Sequence, residues 1–493
     1  METLPYQQEA ITWMLQREQD RACRGGFLCH EMGLGKTFMM STVIKSNPQR
    51  TVIFAPKSTL TNWCETLRIV SQFAFNVQQF DKDMVLDPAR PVTVVATHQA
   101  ILRNLQWFID QGFHRMIIDE AHVIRNPGSK LTLQFGQLSR SVSVRWGITA
   151  TPFNNTDKDI AVYVRYLFPH AGGVVPTDIF RWVMIRKTRA EVFPEGPKLT
   201  VTKQVYDFEH PEEKRLYEVV SQRIDEQMEW INANRGHLPR HVIGAMIILV
   251  MLRQRQATIH PQIVLNAERR WRNLAEEQGE DVQDWNKTRV TKVNRILEMI
   301  HADQKQSKST MVITHFGDEI NLIAERLAEA DIPYKILNGK TKQKDRRAIE
   351  THGNSVSEFS IVKHIDKACT KHGVSMLLPA GPMRDILAFI QRPTVVLLQI
   401  QAGGVGISLP WVHHVINTSP DWNPFLERQA IFRAYRLTTK HNVHVTQMYL
   451  RDTIDKQIHN KQVQKLMRSL YWTGDSEASV TDFVEEELME NDE

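Results

Sequence analysis

His30-Glu31-Met32-Gly33-Leu34-Gly35-Lys36-Thr37 is the stretch that most restricts what this chain can become. It follows the apolar run Gly26-Phe27-Leu28-Cys29 and opens into residues 38–45, which have helical character, so its glycines fall where a strand turns into a helix. Gly33 and Gly35 permit positive φ at that turn, and the amides they expose point at an anion. Lys36 adds a point charge, and Thr37 a hydroxyl able to ligate magnesium. The implied chemistry is a phosphate cradle built from Gly33, Leu34, Gly35, Lys36 and Thr37. A strict Walker pattern has Gly or Ala where His30 stands, so the rest of the chain must support the reading.

Apolar runs alternating with helical patterns predict a parallel sheet covered by helices, and therefore an α/β fold. The strand-like runs are residues 51–55, 91–96, 115–118 and 144–148, and again 311–315, 334–337, 394–398, 414–417 and 443–450. Between the two series, residues 211–277 read as long helices rich in Arg, Glu and Gln. Trp230, Trp271 and Trp285 are read there as packing anchors rather than base-stacking platforms. At 493 residues the chain exceeds one ordinary core, and two or three domains are expected. The expected division is 1–186 for a first lobe, 187–290 for a linker with a helical protrusion, 291–470 for a second lobe, and 471–493 for an acidic tail. Residues 350–382 interrupt the second lobe between a helix start at Arg346-Arg347 and its end at 385–389. His364, Cys369 and His372 inside that insert lack the spacing of a zinc site.

Candidate chemistry falls at strand ends. Asp119 and Glu120 close the run Arg115-Met116-Ile117-Ile118; Asp119 can hold magnesium through water, and Glu120 can orient or deprotonate an attacking water. Thr97-His98 closes another strand, and Thr149-Ala150-Thr151-Pro152 a third, either as a γ-phosphate sensor or simply as a turn. Gln7, just before a helix expected over 9–16, has the amide donor and acceptor that an adenine edge needs. A helix following Asp421-Trp422-Asn423-Pro424 is expected to carry Arg433 and Arg436 three apart on one face, able to reach a phosphate together. A last helix from 453 to 470 is expected to be capped by Asp452.

The net charge of +5 conceals an asymmetry, since residues 473–493 hold nine acidic residues and no Lys or Arg, leaving +14 on 1–472. A basic body suits a polyanionic partner. Four scattered cysteines without a CxxC pair suit a reducing compartment. The longest apolar run, 242–252, is short for a bilayer span, and the first residues have no signal-peptide pattern, so a soluble intracellular protein with no membrane partner is expected.

Taken in order, these blocks resemble the Swi/Snf-type branch of the superfamily-two helicase-like ATPases. Residues 31–37, 119–122 and 149–155, with Asn126, match its phosphate loop, DEAH box and Leu-Thr-Gly-Thr-Pro turn. Residues 402–406, 421–424 and 429–436 match its Ala-Gly-Gly-x-Gly, Asp-Trp-Asn-Pro and Gln-x-x-x-Arg-x-x-Arg motifs. Departures are His30 for Asp, Ala150 for Gly, Ser408 for Asn, Tyr435 for His, and Leu437-Thr438-Thr439 for Ile-Gly-Gln. The resemblance covers residues 6–470 apart from the insert. It implies two RecA-like lobes with helical insertions that use ATP and Mg2+, with Lys36, Asp119, Glu120, Arg433 and Arg436 as catalytic groups. It also implies contacts to double-stranded DNA through Lys57, Thr97 and Trp422, with the basic segment around Arg186 either meeting DNA or solvated. The implied activity is translocation by a monomer that displaces nucleosomes, transcription complexes or other bound proteins. Its implied place is nuclear, or a cytoplasmic or viral replication site if a large DNA virus encodes it. A DEAH-type helicase unwinding RNA or DNA and a non-hydrolysing ATP-binding scaffold are the alternatives.

Overall fold

The computed structural model describes residues 3–72, 74–87, 90–153, 157–173, 175–234, 236–237, 239–275, 283–351, 394–401 and 407–475. The insert expected at 350–382 lies almost wholly outside them, as do the 402–406 glycine block, Asn154, Asn155 and the tail beyond Asp475. Chain contacts divide the molecule into two units, the first formed by residues 1–196, 404–406 and 464–484, and the second by 197–403, 407–463 and 485–493.

The first unit runs α1 (Pro5–Gln19), β1 (Gly25–Leu28), α2 (Lys36–Ser46), β2 (Thr51–Ala55), α3 (Leu60–Ser71), β3 (Asn76–Gln79) and β4 (Val92–Thr97). It continues with α4 (Ile101–Asp110), β5 (Arg115–Asp119), α5 (Lys130–Ser141), β6 (Val144–Ile148), α6 (Asp157–Leu167), β7 (Met184–Ile185) and α7 (Arg189–Val192). Its seven strands are all parallel, in the order β3-β4-β2-β5-β6-β1-β7. Helices cover both faces, which is why β1, β2 and β6 are buried along their whole length and are mostly apolar, with Thr51 in β2 and Arg145 in β6 the polar exceptions. The edge strand β3, by contrast, is polar and partly exposed. Helix α1 begins at Pro5, four residues before the helix expected from the sequence, because proline at the first helical position has its φ preset and no amide to satisfy.

The second unit runs β8 (Leu199–Tyr206), α8 (Pro211–Ala233), α9 (Arg240–Ile259), α10 (Pro261–Ala275), α11 (Thr291–Lys305), β9 (Thr310–Thr314), α12 (Gly317–Glu329) and β10 (Tyr334–Leu337). There follow α13 (Gln343–Thr351), β11 (Val395–Gln399), β12 (His414–Asn417), α14 (Pro424–Ile431), β13 (Val443–Leu450) and α15 (Ile454–Thr473), whose residues from Gln464 onward belong to the first unit. Among the described residues, six parallel strands form its sheet in the order β10-β11-β9-β12-β13-β8. Helix α9 packs against α8 and α10 and buries Arg255, whose Nη1 donates to Asp421 at 3.1 Å. Its residues Val242–Ile259 are, by length and composition alone, enough to cross a membrane.

Two local expectations are corrected. Asp452 does not cap α15: it adopts a left-handed φ of 56°, and Thr453 Oγ1 accepts the Asp455 amide at 3.3 Å instead. Trp230 is 52 % exposed rather than a buried anchor, whereas Trp285 donates its indole N–H to the Arg289 carbonyl at 3.0 Å and packs on the second core.

Candidate active site at the carboxyl edge of the first sheet

Residues 30–37 lie where β1 gives way to α2. Gly33 and Gly35 have φ of 83° and 80°, and Gly35 forms the left-handed cap of the eleven-residue α2. At Gly35 it is φ that demands glycine; a Cβ would lie 2.9 Å from Gln7 Nε2, the mobile end of a side chain that could shift. Gln7 is buried on the loop: its Nε2 donates to Tyr6 Oη at 3.2 Å and the Leu34 carbonyl at 3.5 Å, while its Oε1 accepts the Leu4 amide at 3.1 Å. Tyr6 Oη donates to the same Leu34 carbonyl at 3.0 Å. Leu34 buries its side chain, so only its backbone can meet a ligand. Lys36 folds back across the loop, with Nζ donating to the carbonyls of His30 at 2.8 Å and Glu31 at 3.0 Å. Lys36 and Thr37 thus open a helix whose first amides have no partner within the helix, a site suited to phosphate. His30 is fully buried, and burial together with Lys36 holds its pKa down at about 3, so a neutral ring fills this position.

Strand β5 delivers the acidic pair. Asp119 Oδ2 accepts Trp63 Nε1 at 2.8 Å, and Oδ1 accepts the Glu120 amide at 3.0 Å. Burial and the neighbouring Glu120 charge push Asp119 up to about 6, with Trp63 and the charge of Lys36 acting in the opposite sense. Glu120 has a φ of 49°, uncommon for a residue with a Cβ, and its Oε2 sits 3.3 Å from His122 Nδ1. His98 is held at about 4, mainly by burial, so its neutral ring donates through Nε2 to the Asp119 carbonyl at 2.7 Å. Trp63 and His98 are supports that the sequence reading did not assign; the only signal was that His98 follows a strand end.

Lys57 and Thr97 lie at the ends of neighbouring strands: Ala55 pairs with Thr97 across β2 and β4, and Lys57 stands exposed two residues past β2. Trp422, half-buried, belongs to the second unit. Arg433 and Arg436 also lie there, but not on a helix as expected, since α14 stops at Ile431. The carbonyls that would continue it are taken elsewhere: Arg433 O accepts the Leu409 amide at 2.8 Å, and Ala434 O accepts Thr439 Oγ1 at 2.7 Å. Arg436 Nη2 donates to the Ile407 carbonyl at 3.3 Å. Arg186 is a further correction to a solvated or DNA-facing basic segment: it is buried and paired with Asp475.

If Asp119 carries the proton that this environment favours, the protonated-carboxyl infrared band missing from an Asp119→Asn variant should disappear as pH rises through about 6. The carboxylate is the metal-binding form, so magnesium with ADP should shift that titration to lower pH. A band unmoved by magnesium would place the ion elsewhere.

Residues 6–310 match the SNF2-related domain, and residues 383–438 match the helicase conserved C-terminal domain. The chain is 23 % identical to the probable global transactivator of Orgyia pseudotsugata multicapsid polyhedrosis virus, over 94 % of this chain and 90 % of the viral protein. It is also 23 % identical to the ISWI chromatin-remodeling complex ATPase ISW2 of Saccharomyces cerevisiae, over 94 % of this chain and 40 % of the yeast protein. An uncharacterized ATP-dependent helicase of Mycoplasma pneumoniae is 23 % identical over 93 % of this chain and 41 % of its own length. The chain therefore spans about two fifths of the yeast and mycoplasma relatives. Among solved structures, the Sulfolobus solfataricus SWI2/SNF2 ATPase core in complex with dsDNA aligns over 99 % of this chain and 98 % of its own, at 20 % identity and a TM-score of 0.37.

Proposed function

Because this chain belongs to the SNF2-related family of helicase-like ATPases, whose domain model matches more than half of its length, we propose that it is a DNA-dependent ATP hydrolase. In this reading it tracks along duplex DNA and displaces or remodels the proteins bound there. The observation that carries the reading is the placement of the Gly33–Lys36 loop and the Asp119–Glu120 pair at the ends of β1 and β5, flanking β6 on one sheet edge. Parallel sheets bind ligands at that edge.

In this reading Lys36 and the first amides of α2 hold the phosphates, and Gln7 reads a base edge by exchanging its bonds to Leu4, Tyr6 and Leu34 for the base. Thr37 and Asp119 fit a magnesium ion, because a carboxylate desolvated and set against Glu120 is costly until a cation offsets it. Bound there, the ion supplies charge neutralisation to the phosphate oxygens. Glu120 orients and deprotonates the attacking water. Arg433 and Arg436 neutralise charge on the transferring phosphoryl group, as in the family motif they match. Lys57 and Thr97 bind DNA phosphate, joined by Trp422 from the second unit; such contacts fix position without reading sequence. A nuclear place, or a viral replication site, belongs to this reading, with a chromatin-remodeling ATPase and a viral transactivator among the relatives in its support.

The test is steady-state ATP hydrolysis without nucleic acid and with duplex DNA, single-stranded DNA or RNA. Stimulation mainly by duplex supports the translocase. Stimulation mainly by single strands or RNA, with unwinding of a tailed duplex, would make it a helicase, and no turnover would leave a scaffold. Lys57→Ala should weaken duplex binding across all sequences and reduce the log–log salt slope by about one. Equilibrium titrations at several salt concentrations measure this, and an unchanged slope would remove Lys57 from the DNA contact.

A further inference from the structure

Arg186 joins three parts of the first unit that are remote in sequence. Its Nη1 donates to the Cys29 carbonyl at 2.7 Å, immediately before the phosphate loop, and to the Ala150 carbonyl at 3.0 Å, in the turn after β6. Its Nε and Nη2 fork onto the two carboxylate oxygens of Asp475, each at 2.7 Å. Both side chains are nearly buried, 8 % and 9 % exposed, so each requires the other's charge. The segment carrying Arg186 is itself laced to the loop. Cys29 N donates to the Ile185 carbonyl at 2.8 Å, Glu31 N to the Lys187 carbonyl at 2.9 Å, and Arg189 N to Glu31 Oε2 at 2.7 Å.

A second contact reinforces the first. The Arg181 guanidinium lies 4.2 Å over the Tyr471 ring and donates to the Tyr471 carbonyl. Gly474, with a φ of 69°, turns the chain just past α15 and presents Asp475 to Arg186. Residues 471–475 thus grip residues 181–186 at two points, one of which reaches Cys29, the residue just before the loop.

We propose that the end of α15 is a clasp: Asp475, acting through Arg186, positions the phosphate loop against the turn after β6, so that tight nucleotide binding requires this C-terminal segment to be docked. The proposal rests on the reading of the loop as the ATP site. Asp475 is a positioning residue and touches no nucleotide. Because coupling is reciprocal, nucleotide in the loop also favours docking of residues 471–475.

The experiment measures binding of a fluorescent ATP analogue, well below the melting temperature, to the full chain and to Asp475→Asn, Arg186→Lys and Asp475→Glu. Asp475→Asn and Arg186→Lys should each bind roughly tenfold more weakly, and Asp475→Glu should recover most of that loss. Variants that melt earlier but bind the analogue as tightly as the original would overturn the clasp and leave a structural ion pair. Failure of the original chain to bind the analogue would instead remove the ATP-site reading. Should Asp475→Asn not fold, amide hydrogen exchange in the unaltered chain decides: residues 29–35 and 471–475 should gain protection together when the analogue binds. Protection confined to residues 29–35 would overturn the proposal.

Discussion

Replacing Glu120 by Gln should lower ATP turnover by about 10²–10⁴-fold while leaving nucleotide binding close to that of the original chain. The substitution preserves shape and the left-handed backbone, with its φ of 49°, and removes only the ability to take a proton. Each tenfold loss corresponds to about 1.4 kcal/mol of transition-state stabilisation, so about 3–5 kcal/mol is assigned to this carboxylate. Analogue binding should persist because the phosphate contacts come from Lys36 and the α2 amides rather than from β5. Quench-flow hydrolysis alongside equilibrium binding separates the two quantities. Turnover within threefold of the original would mean that another group activates the water.

The second large effect should appear in stability and not in chemistry. Glu18 on α1 accepts four bonds: Oε1 from Arg115 Nε at 2.7 Å and Trp146 Nε1 at 3.0 Å, Oε2 from Arg115 Nη2 at 2.5 Å and Asn47 Nδ2 at 2.8 Å. Its side chain is 2 % exposed and that of Arg115 is 0 % exposed. One carboxylate therefore fastens α1 to β5, β6 and the residue ending α2. Glu18→Ala would strand a buried guanidinium and should cost about 3–5 kcal/mol, whereas pairing Glu18→Met with Arg115→Met should recover much of that loss. Urea unfolding followed by tryptophan fluorescence measures both. A loss under about 1 kcal/mol would mean that water reaches Arg115 once Glu18 is gone. Turnover per folded molecule should change little, since neither residue touches the phosphate loop or the acidic pair.

The alternation of strands and helices, the glycine turn and the positions of Asp119 and Glu120 were all legible in the chain, for one physical reason. Buried parallel strands are mostly apolar, and ligand chemistry collects where they end, so both signals are local and need no partner to be recognised. The positive φ at Gly33 and Gly35 was legible in the same way, because a tight turn between strand and helix leaves little choice of residue. Where the helix after Pro424 stops was not, because the Leu409 amide and the Thr439 hydroxyl take the carbonyls of Arg433 and Ala434, just beyond its end at Ile431. The supports of the site were equally hidden. Trp63 reaches Asp119 across 56 residues, Glu18 reaches Arg115 across 97, and Arg186 reaches Asp475 across 289. In a linear pattern each of these is an ordinary tryptophan or an ordinary solvated charge. Only packing decides which charges lose water, and a charge that loses water must find its counter-charge wherever the fold has brought one. The sequence by itself thus determined the elements and the chemistry at their ends, while the tertiary structure alone decided which buried partners hold that chemistry in place.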